Sequence, residues 1–287
     1  MGGDHIAASG PTPGTEPSVR LADLTWQEFA ACVAAGSLTV ILPVGATEQH
    51  GPHLPLSTDV VLPVAVAEGV TRAIGGLVAP AIPYGYKSQP KSGGGNHFPG
   101  TLSLDGATLV AVVRDVVNEL ARHGVRRIVL LDGHMENQWF LTEAADLAQR
   151  DQRRDGVRDL RIVKLGYWSF IDPATLAALF EGGPFTWELE HAAVMETSVM
   201  LHLRPDLVRT DRVPDNPPAA FPHYDIYPFD TRPIPPDGAL SSPARAAAAK
   251  GARVLDQVVP AIAAALAEAF NSPGDLASKE RQAEDTR

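Results

Sequence analysis

Four short apolar runs limit what this chain can fold into: Leu38–Leu42, Leu77–Pro83, Arg127–Leu131 and Leu160–Leu165. Each has the length and composition of a strand buried on both faces. Helical periodicity fills the intervals, over Val60–Ile74, Asp105–His123 with Gly124 as its stop, and Glu136–Arg150. A strand followed by a helix and another strand makes a right-handed crossover, which sets the strands parallel and lays the helices over the sheet. The fold class expected is therefore α/β: a single-domain three-layer α/β/α sandwich with a mainly parallel central sheet. Pro80 and Pro83 confine the second run to an edge of that sheet or to strand ends.

The flanks follow the same logic. Residues 1–19 are rich in Gly, Pro and Thr without periodicity, and are expected to be a disordered N-terminal segment. Thr25, with Glu28 three residues on, reads as a capping box opening a helix to about Ala34. The domain then runs over 20–271, and 272–287 is a polar tail. Within it, Leu203–Ser242 is Pro-rich and irregular, like an arm that packs on another surface, and Pro243–Phe270 has the pattern of a long Ala-rich helix. Net charge is −10 with Lys and Arg scattered, which disfavours nucleic acid and anionic membranes and favours a small-molecule partner. The single cysteine, Cys32, excludes an internal disulfide; it falls in an apolar helical pattern and reads as a buried thiol, in keeping with a cytoplasmic protein. No run of eighteen apolar residues and no leader pattern is present, so no membrane span is expected.

The chemistry is concentrated just past two strand ends. Val44-Gly-Ala-Thr-Glu48-Gln-His50-Gly-Pro-His53-Leu-Pro-Leu-Ser-Thr-Asp59 follows the first strand, and Asp132-Gly-His134-Met-Glu136 follows the third. Glu48 with His50, and His134 with Glu136, are pairs at i and i+2, which extended backbone turns to one side. Asp59 stands at a helix N-terminus, where backbone N–H groups favour a carboxylate. An ordinary loop with a capping Asp would explain any one of these residues; the combination of Gly45, Gly51, Pro52 and Pro55 with two His and two carboxylates argues for a site, and two such loops on parallel neighbouring strands could meet. Three carboxylates and two imidazoles suit two ions sharing a bridging carboxylate, roughly 3.5–4 Å apart, better than one ion with an open position. Mixed N/O ligation points to Zn²⁺ or Mn²⁺, and the reaction class to metal-assisted hydrolysis. The long loop Tyr84–Thr101, with Gly93-Gly-Gly, lacks the spaced glycines and Lys-Ser/Thr of a phosphate-binding loop.

Taken together in order, Glu48-Gln-His50-Gly-Pro-His53-Leu-Pro with Thr58-Asp59, Phe98-Pro-Gly-Thr101, Asp132-Gly-His134-Met-Glu136-Asn137 and His191-Ala-Ala-Val-Met-Glu196-Thr-Ser resemble the creatininase (creatinine amidohydrolase) family over residues 20 to 270. The Pro217–Asp225 stretch and the Leu240-Ser-Ser start of the last helix strengthen that likeness. The resemblance implies two divalent ions per subunit, Zn²⁺ and/or Mn²⁺, one held by Glu48, Asp59 and His134 and the other by His50, Asp59 and Glu136. It implies that His191, preceded by Glu190, moves protons to and from a small cyclic amide substrate. It implies a pocket built from Ser92, Met135, Trp168, Trp187 and Glu188, with His53 and Glu196 behind the ligands, and a homohexameric assembly. Met135 stands where the family pattern has Tyr, and Glu188 where it has Asp, so the metal chemistry is better specified than the substrate. The rival readings are a family member acting on another cyclic or linear amide, such as a hydantoin, formamide or peptide-like precursor, and a metal-binding protein without catalysis.

Overall fold

The computed structural model describes residues 18–181 and 186–271. Most of the expected N-terminal segment, the Gly182-Gly-Pro stretch before Trp187 and the 272–287 tail lie outside the described residues. Strands β1 (Thr39–Val44), β2 (Leu77–Val78), β3 (Arg127–Asp132) and β4 (Arg161–Gly166) form one sheet in the order β2-β1-β3-β4. Every pairing is parallel, and Val44, Asp132 and Gly166 stand abreast at the C-terminal edge.

Side chains alternate between two cores, as a pleated strand covered on both faces requires. Ile41, Val129 and Leu131 face α2 (Thr58–Ile74), α6 (Val194–Leu203) and α7 (Ala248–Asn271), the last through Val254, Val258, Ile262 and Leu266. Val40, Leu42, Ile128 and Leu130 face α3 (Gly106–Arg122) and α4 (Gln138–Arg154), through Leu109, Val113, Val117, Leu141 and Ala144. The two faces make the three-layer sandwich expected. Helix α1 (Trp26–Ala34) starts at the Thr25–Glu28 capping box and contributes Phe29 and Val33 to the second core. Such a cap is worth about 1 kcal/mol. A short α5 (Pro173–Phe180) follows β4, N-capped by Asp172.

Several boundaries differ from the sequence reading for identifiable reasons. Strand β1 continues through Pro43, which has no N–H to give a neighbour. On its β2 side the Ala79 N–H donates to the Ile41 carbonyl just past β2, and the Ile82 N–H donates to the Pro43 carbonyl, so the bond that Pro43 makes there uses only its carbonyl. Helix α2 begins at Thr58, which puts Asp59 inside its first turn. A 3-10 turn, Met135–Asn137, precedes α4, and α7 starts at Ala248 rather than Pro243. Cys32 is half-buried on α1, a helix with no fully buried residue, and not enclosed as expected. Helix α7 is long and apolar enough to cross a membrane by composition, but its stripe from Val254 to Phe270 is packed into the core.

Candidate metal centre

Every candidate ligand lies at the C-terminal edge of the sheet, where open α/β sheets form their crevices. Asp59 is seated deepest. A Cβ on Gly45 would stand 2.1 Å from the Asp59 carbonyl oxygen, and one on Gly133 would stand 2.4 Å from it. Bare backbone at the ends of β1 and β3 thus lets the first turn of α2 settle between the two ligand loops. Glu48, His50, Asp59 and His134 are all buried.

The two imidazoles are oriented alike. His50 Nδ1 lies 3.1 Å from the Glu48 main-chain carbonyl, and His134 Nε2 lies 3.0 Å from that of Tyr86. A carbonyl only accepts, so these nitrogens carry the proton and the opposite ones carry the lone pair. The lone-pair nitrogens then face carboxylates. His134 Nδ1 is 3.0 Å from both Glu48 Oε2 and Asp59 Oδ2, and His50 Nε2 is 3.0 Å from Asp59 Oδ1 and 3.7 Å from Glu196 Oε2. Lone pairs set against anions need a cation or an added proton between them. Among the described residues, neither Glu48 Oε1 nor His50 Nε2, both buried, has a hydrogen-bond partner. The donor set therefore fits divalent ions bound by N and O.

The electrostatics express the same demand. Burial lifts the Glu48 carboxyl to about 7, with His134 pulling the other way. Burial alone would lower both imidazoles, yet Asp59 and Glu196 raise His50 well above the usual histidine range, and Glu136 and Glu48 raise His134. Burial would raise Asp59, but His50 and His134 together hold it well below the ordinary carboxylate range.

Two clusters share Asp59: Glu48, Asp59 and His134, and His50, Asp59 and Glu196, the candidate ligand atoms in each lying within 4.8 Å of one another. The first is the trio expected from the resemblance. In the second, Glu196 stands where Glu136 was expected. The Glu136 carboxylate lies on the far side of the His134 ring, 3.5 Å from Nε2, and accepts hydrogen bonds from Ser92 Oγ at 2.6 Å and the Gln89 N–H at 3.2 Å. A further cluster joins His191 to Glu48 and His50, and the His191 ring lies tilted by 42° against that of His50 with centroids 4.3 Å apart.

A cavity of ≈ 40 Å³ opens over this centre. Ser92, Met135, Trp168 and Trp187 line it, as do Glu136, Glu190 and His191. Glu188 does not belong to this wall and is exposed. It sits in a 3-10 turn, Trp187–Glu190, whose three-residue period puts Trp187 and Glu190 on one face and Glu188 on another. Glu190 Oε1 accepts from the Met195 and Glu196 N–H groups at the start of α6, while the buried Oε2 has no partner among the described residues. Burial, then Glu196, raise its carboxyl well above the usual value. Burial and the nearby His50 push His191 well below the usual imidazole value. His53 is buried behind the ligands, with Nε2 2.8 Å from Thr197 Oγ1, joining the first ligand loop to α6.

Tyr167, buried against Trp168 and lining the cavity, has no role in the sequence reading, although it stands just past the end of β4 as the ligand loops do past β1 and β3. Glu196 carries no strand-end signal; the resemblance set it behind the ligands, and its place on α6 brings its carboxylate 3.7 Å from His50 Nε2.

The family profile for creatininase, described as creatinine amidohydrolase, matches residues 22–266. Creatinine amidohydrolase from Pseudomonas putida is 53% identical over 254 residues, covering 88% of this chain and 98% of that protein. Mycofactocin precursor peptide peptidase from Mycobacterium tuberculosis (strain H37Rv) is 33% identical over 237 residues, covering 78% and 82%. A crystal structure of creatininase superposes with a TM-score of 0.88 at 51% identity, over 90% of this chain and all of that one. Other creatininase structures, alike at a TM-score of 0.87, include a manganese form, a zinc–zinc form and a complex with creatine.

Proposed function

The chain belongs to the creatininase family, and on that premise we propose that it is a metal-dependent amidohydrolase that opens creatinine to creatine. The observation that carries this reading is the buried centre itself: two imidazoles, each with one N–H committed to a backbone carbonyl and its lone pair aimed at carboxylates, beneath a small cavity walled by two tryptophans. Glu48, Asp59 and His134 would hold one divalent ion. His50 and Asp59 would hold a second, with Glu136 as the resemblance implies or Glu196 as the geometry supplies, so two ions per subunit, zinc or manganese, are proposed. Bound there, such ions act as Lewis acids and lower the pKa of water toward neutrality.

The remaining chemistry falls to this chain's own side chains. Ring opening adds hydroxide to the carbonyl carbon and a proton to the ring nitrogen as the C–N bond breaks. His191, at the cavity wall, is placed to move that proton, a contribution of about 10²–10⁴-fold in typical enzymes. Glu190, the residue before His191, is fixed by the backbone N–H groups of Met195 and Glu196. Trp168 and Trp187 offer aromatic faces to a flat ring, and Ser92 holds the Glu136 carboxylate in place. Bare Gly166 makes room for the first of these, because a Cβ there would stand 2.6 Å from the Trp168 indole.

A panel of substrates tests the reading: creatinine, substituted hydantoins, a linear formamide and a short peptide, each assayed with Zn²⁺ and with Mn²⁺. Creatinine turnover is expected to lead. Inert rings alongside a cleaved peptide would move the function to that of the peptidase relative, a shift that Met135 at the cavity wall would explain by offering no hydroxyl to a ring. A homohexamer in the cytoplasm is proposed as the working form. Support comes from the Pro-rich arm, which leaves Tyr224, Ile226, Tyr227 and Phe229 exposed. A monomer by light scattering at micromolar concentration would refute that assembly.

A further inference from the structure

Gln49 sits between Glu48 and His50 in sequence and takes no part in the ligand set, yet it is hydrogen-bonded to the Tyr84–Thr101 loop and to the Pro-rich arm. Its amide nitrogen donates to the carbonyls of Gly93 and Gly238, both at 2.9 Å, and its amide oxygen accepts from the Gly51 N–H at 2.9 Å. Turning the amide over would set its oxygen against two carbonyls, so this orientation is the one the surroundings allow. Two glycines make room for it. A Cβ on Gly94 would stand 2.8 Å from Gln49 Nε2, and one on Gly238 would stand 2.1 Å from its Oε1.

The same residue meets His191 twice. His191 Nε2 is 2.8 Å from the Gln49 main-chain oxygen and 2.9 Å from its side-chain nitrogen. The main-chain oxygen can only accept, so Nε2 carries the ring proton. The side-chain amide has two protons, both given to carbonyls, and none remains for a lone pair on Nε2. That closes the competing tautomer. Gly238 also leads directly to Leu240, whose N–H donates to the His191 carbonyl at 3.3 Å. Gln49 therefore holds the ring of His191 directly and its backbone through the Pro-rich arm.

We propose that Gln49 is a positioning residue for His191: its main-chain oxygen selects the Nε2–H tautomer, its side-chain amide holds that oxygen in place by tying Gln49 to Gly93 and Gly238, and Nδ1 is left as the atom that exchanges a proton with the substrate. The proposal rests on the reading of His191 as the proton-moving group. Gln49→Met keeps the volume and removes the amide. In the metal-loaded enzyme assayed with creatinine, it is expected to lower kcat by about 10- to 100-fold, with KM and metal content unchanged. In a His191→Ala background the same substitution is expected to have no further effect, because a residue acting only through His191 has nothing left to position. Effects that multiply, an unchanged kcat, or loss of metal with activity would overturn the proposal while leaving the role of His191 standing. Full turnover by His191→Ala alone would instead remove that role, and the proposal with it. Nitrogen NMR of histidine-labelled wild-type enzyme, with the His191 signals assigned by their loss in His191→Ala, does not depend on the folding of the Gln49 variant: a protonated Nε2 is expected, and a protonated Nδ1 refutes the assignment.

Discussion

The carbonyl of Asp59 lies so close to the Cα atoms of Gly45 and Gly133 that this residue's place is set by backbone before any ligand is considered. Both of its carboxylate oxygens are then spoken for, one toward His50 and one toward His134. Removing it leaves two imidazoles without their common partner, so Asp59→Ala is expected to lose both ions and all measurable activity in paired metal analysis and turnover. Retention of one tightly held ion would break the shared-carboxylate arrangement. At this scale Glu48, His50, Asp59, His134 and Glu136 were legible as candidates because the two-residue spacing and the strand ends are local features, while the grouping of Glu48, Asp59 and His134 came from the family resemblance. Glu196 was legible only as a residue behind the ligands, because its approach to His50 exists only once α6 is folded against the first ligand loop. Glu188 misled for a related reason: adjacency to Trp187 in sequence says nothing about which face of a 3-10 turn it occupies.

Helices α3 and α4 cover one face of the sheet and are tied together outside the core by Asp151, which accepts from Arg114 Nε at 2.6 Å, Arg114 Nη2 at 2.9 Å and Asn118 Nδ2 at 3.0 Å. These hydrogen bonds hold the Asp151 carboxyl down at about 2. A carboxylate whose pKa is lower folded than unfolded, where it is about 3.9, stabilises the fold above that unfolded value and loses its contribution as pH falls through the folded one. Asp151→Asn is therefore expected to unfold at lower urea than wild type near pH 7, with the gap closing between about pH 4 and pH 2. A gap that stays constant over this range would assign the effect to packing. Strands and helices were readable from the period of their apolar residues, as the capping box at Thr25 and the run Arg127–Leu131 illustrate. Their ends were less so. Pro43 stops a strand on paper, but whether it stops one in the protein depends on what the neighbouring chain asks of it, and here Ile82 asks only for a carbonyl.

For the molecule as a whole, the metal centre joins β1, α2, β3 and α6, so any ion bound there favours the complete fold over every partial one. Stripping the metal with a chelator is expected to lower the melting temperature by about 5–10 °C if free metal had stood near a hundredfold above its dissociation constant. An unchanged melting temperature would mean that protons alone satisfy the buried carboxylates. The layer order was legible from the sequence because parallel crossovers leave few alternatives. The way the Pro-rich arm reaches back to Gln49 through Gly238 was not, since nothing periodic marks it. The seating of Asp59 against both Gly45 and Gly133 also has a temporal side. Asp59 and His134 are 75 positions apart, and Gln49 and His191 are 142 apart. On the ribosome, a growing chain displays Glu48, His50 and Asp59 long before β3 arrives to pair with β1 and bring Gly133 into place. Until then it has acidic groups but no centre. His191 and Glu196 emerge later still, so the ligand loops are all made before the groups that back His50 and that are proposed to move protons exist.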